Sequence, residues 1–179
     1  MDAYSRTRLL LGQDGMEKLK NAHVAVFGLG GVGGYVVEVL ARSGVGTIEL
    51  VDHDKVSLSN INRQILATRE TVGMDKAEAA ALRVKVIDPD IQVIARKQFF
   101  GPDTASEFDF SKYAYVVDAI DTVTGKLALV QAAKNAGVPC LAVLWGFRDK
   151  ACLAEHGATH FCDHPSKMLD CLKEIVANG

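Results

Sequence analysis

The sequence predicts an α/β protein with a doubly wound, mostly parallel β-sheet that carries helices on both faces. Short apolar runs, typical of buried strands, alternate along the chain with longer runs whose apolar residues recur at helical spacing. Strands joined through helices in this way form right-handed crossovers, so neighbouring strands are expected to be parallel. With 179 residues, we expect a single domain over residues 1–179.

The predicted elements follow the chain as alternating helices and strands. Predicted helices cover residues 2–11, 14–20, 76–87, 122–136, 150–156 and 165–177, and another ends near Ser43. Predicted strands cover residues 24–27, 91–97, 113–117 and 138–144, one ends at Asp52, and residues 159–162 are extended. The polar stretch 53–64 is too long for a simple turn. We expect it to leave the carboxyl edge of the sheet, where ligands bind in open α/β folds.

A glycine-rich turn, Gly28-Leu-Gly30-Gly31-Val-Gly33-Gly34, lies between the first predicted strand and its helix. Gly28 permits the tight turn, Gly30 lets backbone N–H groups approach a phosphate, and Gly33 lets the helix pack closely against the strand. Asp52 ends the next strand about 24 positions later and can accept hydrogen bonds from ribose hydroxyls. The sequence therefore predicts a Rossmann-like phosphate site, although a purely connecting glycine turn is the alternative.

Composition favours a soluble, cytoplasmic protein. Hydrophobic residues make up 49% and charged residues 23% of the chain, and the net charge of −2 gives no overall attraction to nucleic acid. No apolar run approaches the roughly 18 residues of a membrane span, so no membrane association is expected. The four cysteines lack Cys-x-x-Cys pairing and are expected to be buried thiols rather than disulfides or zinc ligands: Cys140, Cys152, Cys162 and Cys171.

The residues alone leave the phosphate ligand open between ATP and NAD. A nicotinamide dehydrogenase needs a hydride-transfer site, usually in a further domain for which this chain has little room. An adenylate-forming enzyme needs cations around a triphosphate and an acid that holds Mg²⁺. Arg63, Lys76 and Asp121 follow strand ends on the side of the glycine turn and can supply these groups. As alternatives, Arg63 or Lys76 forms a surface ion pair and Asp121 caps a helix.

Four motifs stand out in the first two thirds of the chain: Gly28-x-Gly30-Gly31-x-Gly33, the segment 51–64 with Asp52, Asp54, Asn60, Asn62, Arg63 and Gln64, Val72-Gly73-x-x-Lys76, and Val117-Asp118-Ala-Ile-Asp121-Thr122. Together they resemble the motifs of the ThiF/MoeB/HesA superfamily, the bacterial relatives of ubiquitin-activating enzymes. The resemblance covers about residues 2–125 and is closest to the tRNA threonylcarbamoyladenosine dehydratase branch. Members use ATP and Mg²⁺ to adenylate a carboxylate and release pyrophosphate; in this branch the carboxylate belongs to a modified tRNA base.

The resemblance implies a role for each matching residue. It places a nucleotide against a set of glycines and acids: Gly28, Gly30, Gly31, Gly33, Asp52 and Asp54. It places the phosphates against a polar and basic set: Asn60, Arg63, Gln64 and Lys76. Asp121 matches the acid associated with Mg²⁺. Arg6 matches an arginine that enters a partner subunit's site, which implies a homodimer; Arg6, Arg63, Lys76 and Asp121 are the implied catalytic residues.

Residues 126–179 instead resemble the C-terminal part of a haloacid-dehalogenase phosphatase of the phosphoglycolate phosphatase type. The matching motifs are Ala132-Ala-Lys-Asn-Ala-Gly137-Val-Pro139, Val143-Leu-Trp145-Gly146-Phe147-Arg148, His156-Gly157-Ala158-Thr-His160 and Asp163-x-Pro165. This resemblance implies a composite chain whose tail continues the same sheet. The nucleophilic Asp-x-Asp of such phosphatases is missing near the amino terminus, so phosphatase activity is not expected.

Two features of the tail have simpler interpretations than a functional site. The spacing of His156, His160, Cys162 and His164 matches no known set of metal ligands. Trp145 is expected to cover the end of the sheet.

Three functions follow from this sequence. The first is an ATP- and Mg²⁺-binding domain of the adenylating type, with catalysis impaired or absent because the tail replaces the substrate half. The second is an engineered or recombined scaffold without biological activity, and the third is an NAD-binding module.

Overall fold

The computed structural model describes residues 3–146 and 149–178. The chain divides into two compact units. The first comprises the chain up to Phe100 together with Lys112–Asp121, and the second comprises Gly101–Ser111 together with the chain from Thr122 onward. Each unit contains its own β-sheet.

The first unit is built on a four-stranded parallel sheet with strand order β3-β2-β1-β4. The strands are β1 (His23–Phe27), β2 (Thr47–Val51), β3 (Gln92–Arg96) and β4 (Tyr115–Asp118). Its helices are α1 (Ser5–Asn21), α2 (Gly31–Ser43) and α3 (Lys76–Ile87). The predicted α/β class with a mostly parallel sheet is therefore confirmed, and observed element ends differ from the predicted ones by a few residues.

The main core lies on one face of this sheet. Successive side chains of a strand point to opposite faces, so Val24 and Val26 of β1 share a face with Ile48 and Leu50 of β2. These side chains pack with buried residues of the two following helices: Val37, Ala41, Ala77, Ala80 and Val84. Each large apolar side chain buried in this way contributes about 1.5–3 kcal/mol to folding.

The opposite face of β2 carries a charged cluster. The Glu49 side chain is only 3% exposed, and the Arg96 guanidinium, which is 37% exposed, donates from Nε to its Oε1 atom. The Nε2 atom of His23 lies 3.2 Å from the Oε2 atom of Glu49. A buried carboxylate in a sheet is therefore held by two partly exposed basic side chains.

Helix α1 is one element with a break. The two predicted N-terminal helices are joined into Ser5–Asn21, and the backbone is non-helical at Gly12, where φ is 71°. The Tyr4 ring lies just before this helix and contacts the position where a Cβ of Gly44 would stand. Its hydroxyl donates to the Oδ2 atom of Asp88. Tyr4 thus fixes the start of α1 to the turns that precede β2 and β3.

Replacing Tyr4 with phenylalanine should lower the free energy of unfolding by about 1 kcal/mol at pH 7, because the hydrogen bond to Asp88 is lost while the ring packing remains. Burial and the Asp88 bond raise the pKa of the Tyr4 hydroxyl well above its usual value. This contribution is therefore complete below about pH 10, the pKa of an unfolded tyrosine, and decreases as pH rises further. Urea unfolding of both proteins at a series of pH values measures the difference. Equal stabilities at pH 7 would contradict the expectation.

The second unit contains a small two-stranded parallel sheet. Its elements are α4 (Val123–Asn135), β5 (Leu141–Val143), α5 (Lys150–Glu155), β6 (His160–Cys162) and α6 (Met168–Asn178). Strand β5 pairs with β6, and Val130, Ala142 and Ala158 are buried together. The expectation that the tail continues the main sheet is not met in the described residues, because β5 pairs with β6 instead. Phe147 and Arg148 of the predicted tail motif lie outside the described residues, and the single-domain expectation stays a prediction.

None of the helices described here is long and apolar enough to cross a membrane. The four cysteines form no disulfide, as the sequence predicts, but only Cys162 is buried; the expectation of burial is wrong for the other three, which are partly exposed.

Candidate nucleotide site

The glycine turn after β1 is closed on one side by backbone atoms. Gly28 has a φ of +88°, and a Cβ atom there would lie 2.6 Å from the carbonyl oxygen of Ala119. A Cβ atom on Gly33 would lie 1.8 Å from the carbonyl oxygen of Gly28. Both positions therefore require glycine, Gly28 for its left-handed backbone and Gly33 for the close approach of α2 to the turn.

The other side of the turn is open. The nearest atom to a Cβ on Gly30 would be the Nε2 of Gln64 at 3.8 Å, and the nearest to one on Gly31 would be the carbonyl oxygen of Arg63 at 3.7 Å. Gly30 is the N-cap of α2, and within the described part of the chain the cap has no side-chain hydrogen bond. Open backbone and uncapped N–H groups at a helix N-terminus suit an anion such as phosphate.

Asp52 lies next to this turn at the end of β2. Its side chain is buried, its Oδ2 atom accepts from the Leu29 N–H at 2.7 Å, and its Oδ1 atom accepts from the Asp54 N–H at 2.8 Å. Each carboxylate oxygen can accept a further hydrogen bond. Asp52 is therefore fixed beside the glycine turn with capacity left for hydroxyl groups.

Lys76 begins α3 and forms an ion pair with Asp54. The Nζ atom lies 2.8 Å from the Oδ2 atom of Asp54; the Lys76 side chain is 9% exposed and the Asp54 side chain 52%. The hydrogen bond from Lys76 lowers the pKa of the Asp54 carboxyl, although burial acts in the opposite direction. The ion pair expected as the alternative for Lys76 therefore exists, but it is not a surface pair on the lysine side, because the Lys76 side chain is buried.

The segment that follows β2 brings the Gln64 side chain near Gly30 and carries two further polar residues of the predicted site, Asn60 and Arg63. Asn60 and Gln64 are both buried, and the Oδ1 atom of Asn60 accepts from the Ser57 N–H at 3.1 Å. Asn60 therefore caps its own 3₁₀ turn, a local role that the resemblance does not indicate. The exposed Arg63 guanidinium donates to the Ser59 carbonyl at 3.0 Å and to Asn62 Oδ1 at 2.9 Å, with no carboxylate partner in the described residues.

Asp121 is an exposed residue that follows β4. The preceding residue pair, Ala119 and Ile120, contributes the backbone atoms that close the glycine turn at Gly28. Asp121 has no hydrogen-bond or ion-pair partner within residues 3–146 and 149–178. The cap of α4 is Thr122, whose Oγ1 atom accepts from the Gly125 N–H, so Asp121 does not serve as the helix cap.

Arg6 is not brought to this site within its own chain. It lies exposed in the first turn of α1, two residues after Tyr4, whose contacts with Gly44 and Asp88 lie near the amino ends of the strands. The glycine turn lies at the carboxyl ends. The other predicted site residues thus lie at the carboxyl ends of the strands, whereas Arg6 lies near the amino ends.

One group of described side chains has the composition and spacing of metal ligands, namely Asp52, His53 and Asp54, whose ligand atoms all lie within 4.8 Å of one another. The Nε2 atom of His53 lies 3.3 Å from the Oδ1 atom of Asp54. Sequence reasoning missed His53, although a histidine between two acids at a strand end was a usable signal. In the tail, the ring nitrogens of His156, His160 and His164 bond to nearby protein atoms instead.

A parallel sheet with a glycine turn at its carboxyl edge, followed by a helix and a strand that ends in an acid, places the first unit among Rossmann-like α/β domains. The chain belongs to the ThiF family, whose model matches residues 4–176.

Comparisons with individual proteins agree with this assignment. The chain is 43% identical over 138 residues to tRNA threonylcarbamoyladenosine dehydratase from Bacillus subtilis, covering 77% of this chain and 54% of that protein. The crystal structure of the Escherichia coli dehydratase in complex with ATP matches with a TM-score of 0.75 and 38% identity, covering 79% of this chain and 58% of that one. The chain therefore spans about half the length of the curated dehydratases that it matches.

The comparisons give no support to a phosphatase-type tail. The ThiF model continues through the tail to residue 176. The sulfur carrier protein adenylyltransferase of Thermus thermophilus is 34% identical over 163 residues, which is 89% of this chain. The comparisons therefore do not support a composite origin, and they do not show impaired catalysis. The motifs behind that interpretation come from βα units, which many α/β proteins share.

Proposed function

We propose that this chain binds ATP together with Mg²⁺ and is the nucleotide-binding part of an enzyme that adenylates a carboxylate. The observation that carries the proposal is the combination of open glycines at the uncapped start of α2 with a lysine at the start of α3 whose side chain is 9% exposed. Both groups favour a polyanion, and neither is needed for a simple strand-to-helix turn.

The proposed roles follow the geometry of the first unit. Gly28 and Gly33 hold the shape of the turn, while Gly30 and Gly31 leave room for phosphate oxygens. Asp52 accepts hydrogen bonds from the ribose. The phosphates are bound by four side chains, Asn60 acting through its amide nitrogen: Asn60, Arg63, Gln64 and Lys76.

In the proposed reaction, an oxygen of the carboxylate attacks the α-phosphorus of ATP. The bond from that phosphorus to the bridging oxygen breaks, and pyrophosphate leaves with the electron pair. Arg63 and Lys76 stabilise the negative charge that develops on the leaving group. Asp121 would hold Mg²⁺ in this proposal; its exposure and its lack of a partner among the described residues support that role. The ion supplies further charge neutralisation when it is bound.

The substrate and the assembly are also proposals. The relatives named tRNA threonylcarbamoyladenosine dehydratase support a carboxylate on a modified tRNA base. A homodimer in which Arg6 acts in the partner's site agrees with its exposure far from the glycine turn of its own chain.

Calorimetric titration of the purified protein tests the proposal. ATP is expected to bind, Mg²⁺ to strengthen the binding, and NAD to bind more weakly. Arg63→Ala should weaken ATP binding about tenfold, because a charge-assisted hydrogen bond contributes roughly 1.5–3 kcal/mol. Asp121→Asn should remove the gain from Mg²⁺ while binding without Mg²⁺ stays unchanged.

Lys173→Ala is a matched control, because Lys173 is a solvent-exposed lysine in the second unit and its loss should not alter ATP binding. Preference for NAD over ATP would support the dinucleotide module. Failure to bind either ligand would leave the scaffold interpretation and contradict the proposal.

A further inference from the structure

We propose that Asp54 is a positioning residue for Lys76 and is not itself a ligand of the nucleotide or of Mg²⁺. This inference rests on the proposed function, because it assigns a role within the same phosphate site. It departs from the family resemblance, which places Asp54 on the nucleotide.

Residue 54 holds Lys76 at both ends. Its backbone carbonyl accepts from the Lys76 N–H at 2.9 Å, and its side-chain Oδ2 atom accepts from the Nζ atom at 2.8 Å. The two bonds fix both the first residue of α3 and the tip of the lysine side chain. A lysine otherwise has several rotatable bonds, and ordering it costs conformational free energy at the time of binding. Asp54 removes that cost in advance.

The segment that carries Asp54 is itself anchored. The Asp54 N–H donates to the Oδ1 atom of Asp52 at 2.8 Å. Beyond it, Lys55 and Asp75 form an antiparallel bridge, and the Val56 N–H donates to the Met74 carbonyl at 2.8 Å. The backbone before α3 is therefore hydrogen-bonded to the backbone after β2. Asp54 is therefore hydrogen-bonded both to Asp52, the proposed ribose ligand, and to Lys76, the proposed phosphate ligand.

Burial and charge favour positioning over direct contact with the nucleotide. The Lys76 side chain is 9% exposed, so its ammonium group needs a fixed counter-charge, and Asp54 is the residue that supplies it. A carboxylate in direct contact with a triphosphate would repel it. Paired with Lys76, the same carboxylate fixes the position of the ammonium group before the nucleotide binds and directs its remaining N–H donors.

A double-mutant cycle with ATP as the probe tests this assignment. Lys76→Ala and Asp54→Ala are each expected to weaken ATP binding about tenfold or more. The double variant should bind no more weakly than Lys76→Ala, because Asp54 acts through Lys76. Asp54→Asn keeps an acceptor oxygen at the same place but supplies no counter-charge, so it should restore only part of the affinity lost in Asp54→Ala. The loss in Asp54→Ala should be the same in Mg²⁺ and in EDTA.

Asp75→Ala is the matched control, because Asp75 forms an ion pair with Lys97 at the start of the same helix and its side chain does not cap α3. Its ATP affinity should equal that of the wild type. Additive losses from Asp54→Ala and Lys76→Ala, or a loss seen only with Mg²⁺, would overturn the assignment and leave ATP binding itself intact. Failure of the wild-type protein to bind ATP would instead contradict the proposed function.

Discussion

Gly33→Ala is expected to lower the free energy of unfolding by at least about 3 kcal/mol, the largest effect among the substitutions considered. A Cβ atom at this position would lie 1.8 Å from the carbonyl oxygen of Gly28 and 3.2 Å from the Ala119 side chain. The Gly28 oxygen belongs to the backbone and cannot rotate away, so α2 must move off the turn. Urea unfolding followed by circular dichroism measures the loss, and ATP binding should fall with it.

The expected loss of stability is informative, because a glycine-to-alanine change inside a helix normally raises the free energy of unfolding by about 1 kcal/mol. Gly31→Ala supplies the control. Its Cβ would meet only the Arg63 carbonyl oxygen at 3.7 Å, an ordinary contact, so Gly31→Ala should fold with near wild-type stability. If Gly33→Ala proves as stable as Gly31→Ala, then the close approach of α2 to the glycine turn is not a constraint on this fold.

Arg96→Met should destabilise the protein by about 3 kcal/mol, because it leaves the Glu49 carboxylate without its guanidinium partner. The Glu49 side chain is 3% exposed, so water cannot replace the lost hydrogen bond. His23 remains at 3.2 Å but is a full counter-charge only when it is protonated. Methionine preserves much of the arginine's apolar stem, so the measured change reports mainly the charge.

Replacing the acidic partner instead should lower the free energy of unfolding by less than Arg96→Met does. Glu49→Met removes the buried charge and leaves Arg96 and His23, which are both partly exposed and can be solvated. Thermal or urea unfolding of the two single variants gives the comparison directly. A greater loss in Glu49→Met than in Arg96→Met would show that the pair contributes net attraction and that burial of the carboxylate is not the dominant cost.

Much of the first unit could be predicted from its sequence. The glycine turn, the helix after it and the acid at the end of β2 have fixed geometric requirements, so their spacing indicates their arrangement. Gly28 and Gly33 show why, since each position excludes a side chain through contact with nearby backbone. The assignment of Arg63, Lys76 and Asp121 to one edge of the sheet also follows from strand direction alone.

Other features could not be predicted, because they depend on how loops meet. Asp54 and Lys76 are 22 positions apart and joined by an irregular segment, so no periodic pattern indicates their ion pair. The cap formed by Asn60 depends on a hydrogen bond inside a 3₁₀ turn. In the tail, an alternation of strands and helices suits both a continued sheet and a separate one. Side-chain packing decides that β5 pairs with β6, and the order of strands and helices in the sequence does not reveal that packing.

The parallel sheet of the first unit also has a kinetic consequence. Strand β1 pairs with β2 across one crossover, but Val24 pairs with Tyr115, about ninety positions further along the chain. Closing such a long loop costs entropy before its contacts compensate, so pairing over this distance slows folding. The β1–β2 pair can assemble while the ribosome is still far from completing β4. Until Tyr115–Asp118 arrives, the β4-facing edge of β1 remains open, and an unpaired strand edge is a site at which non-native strands can pair.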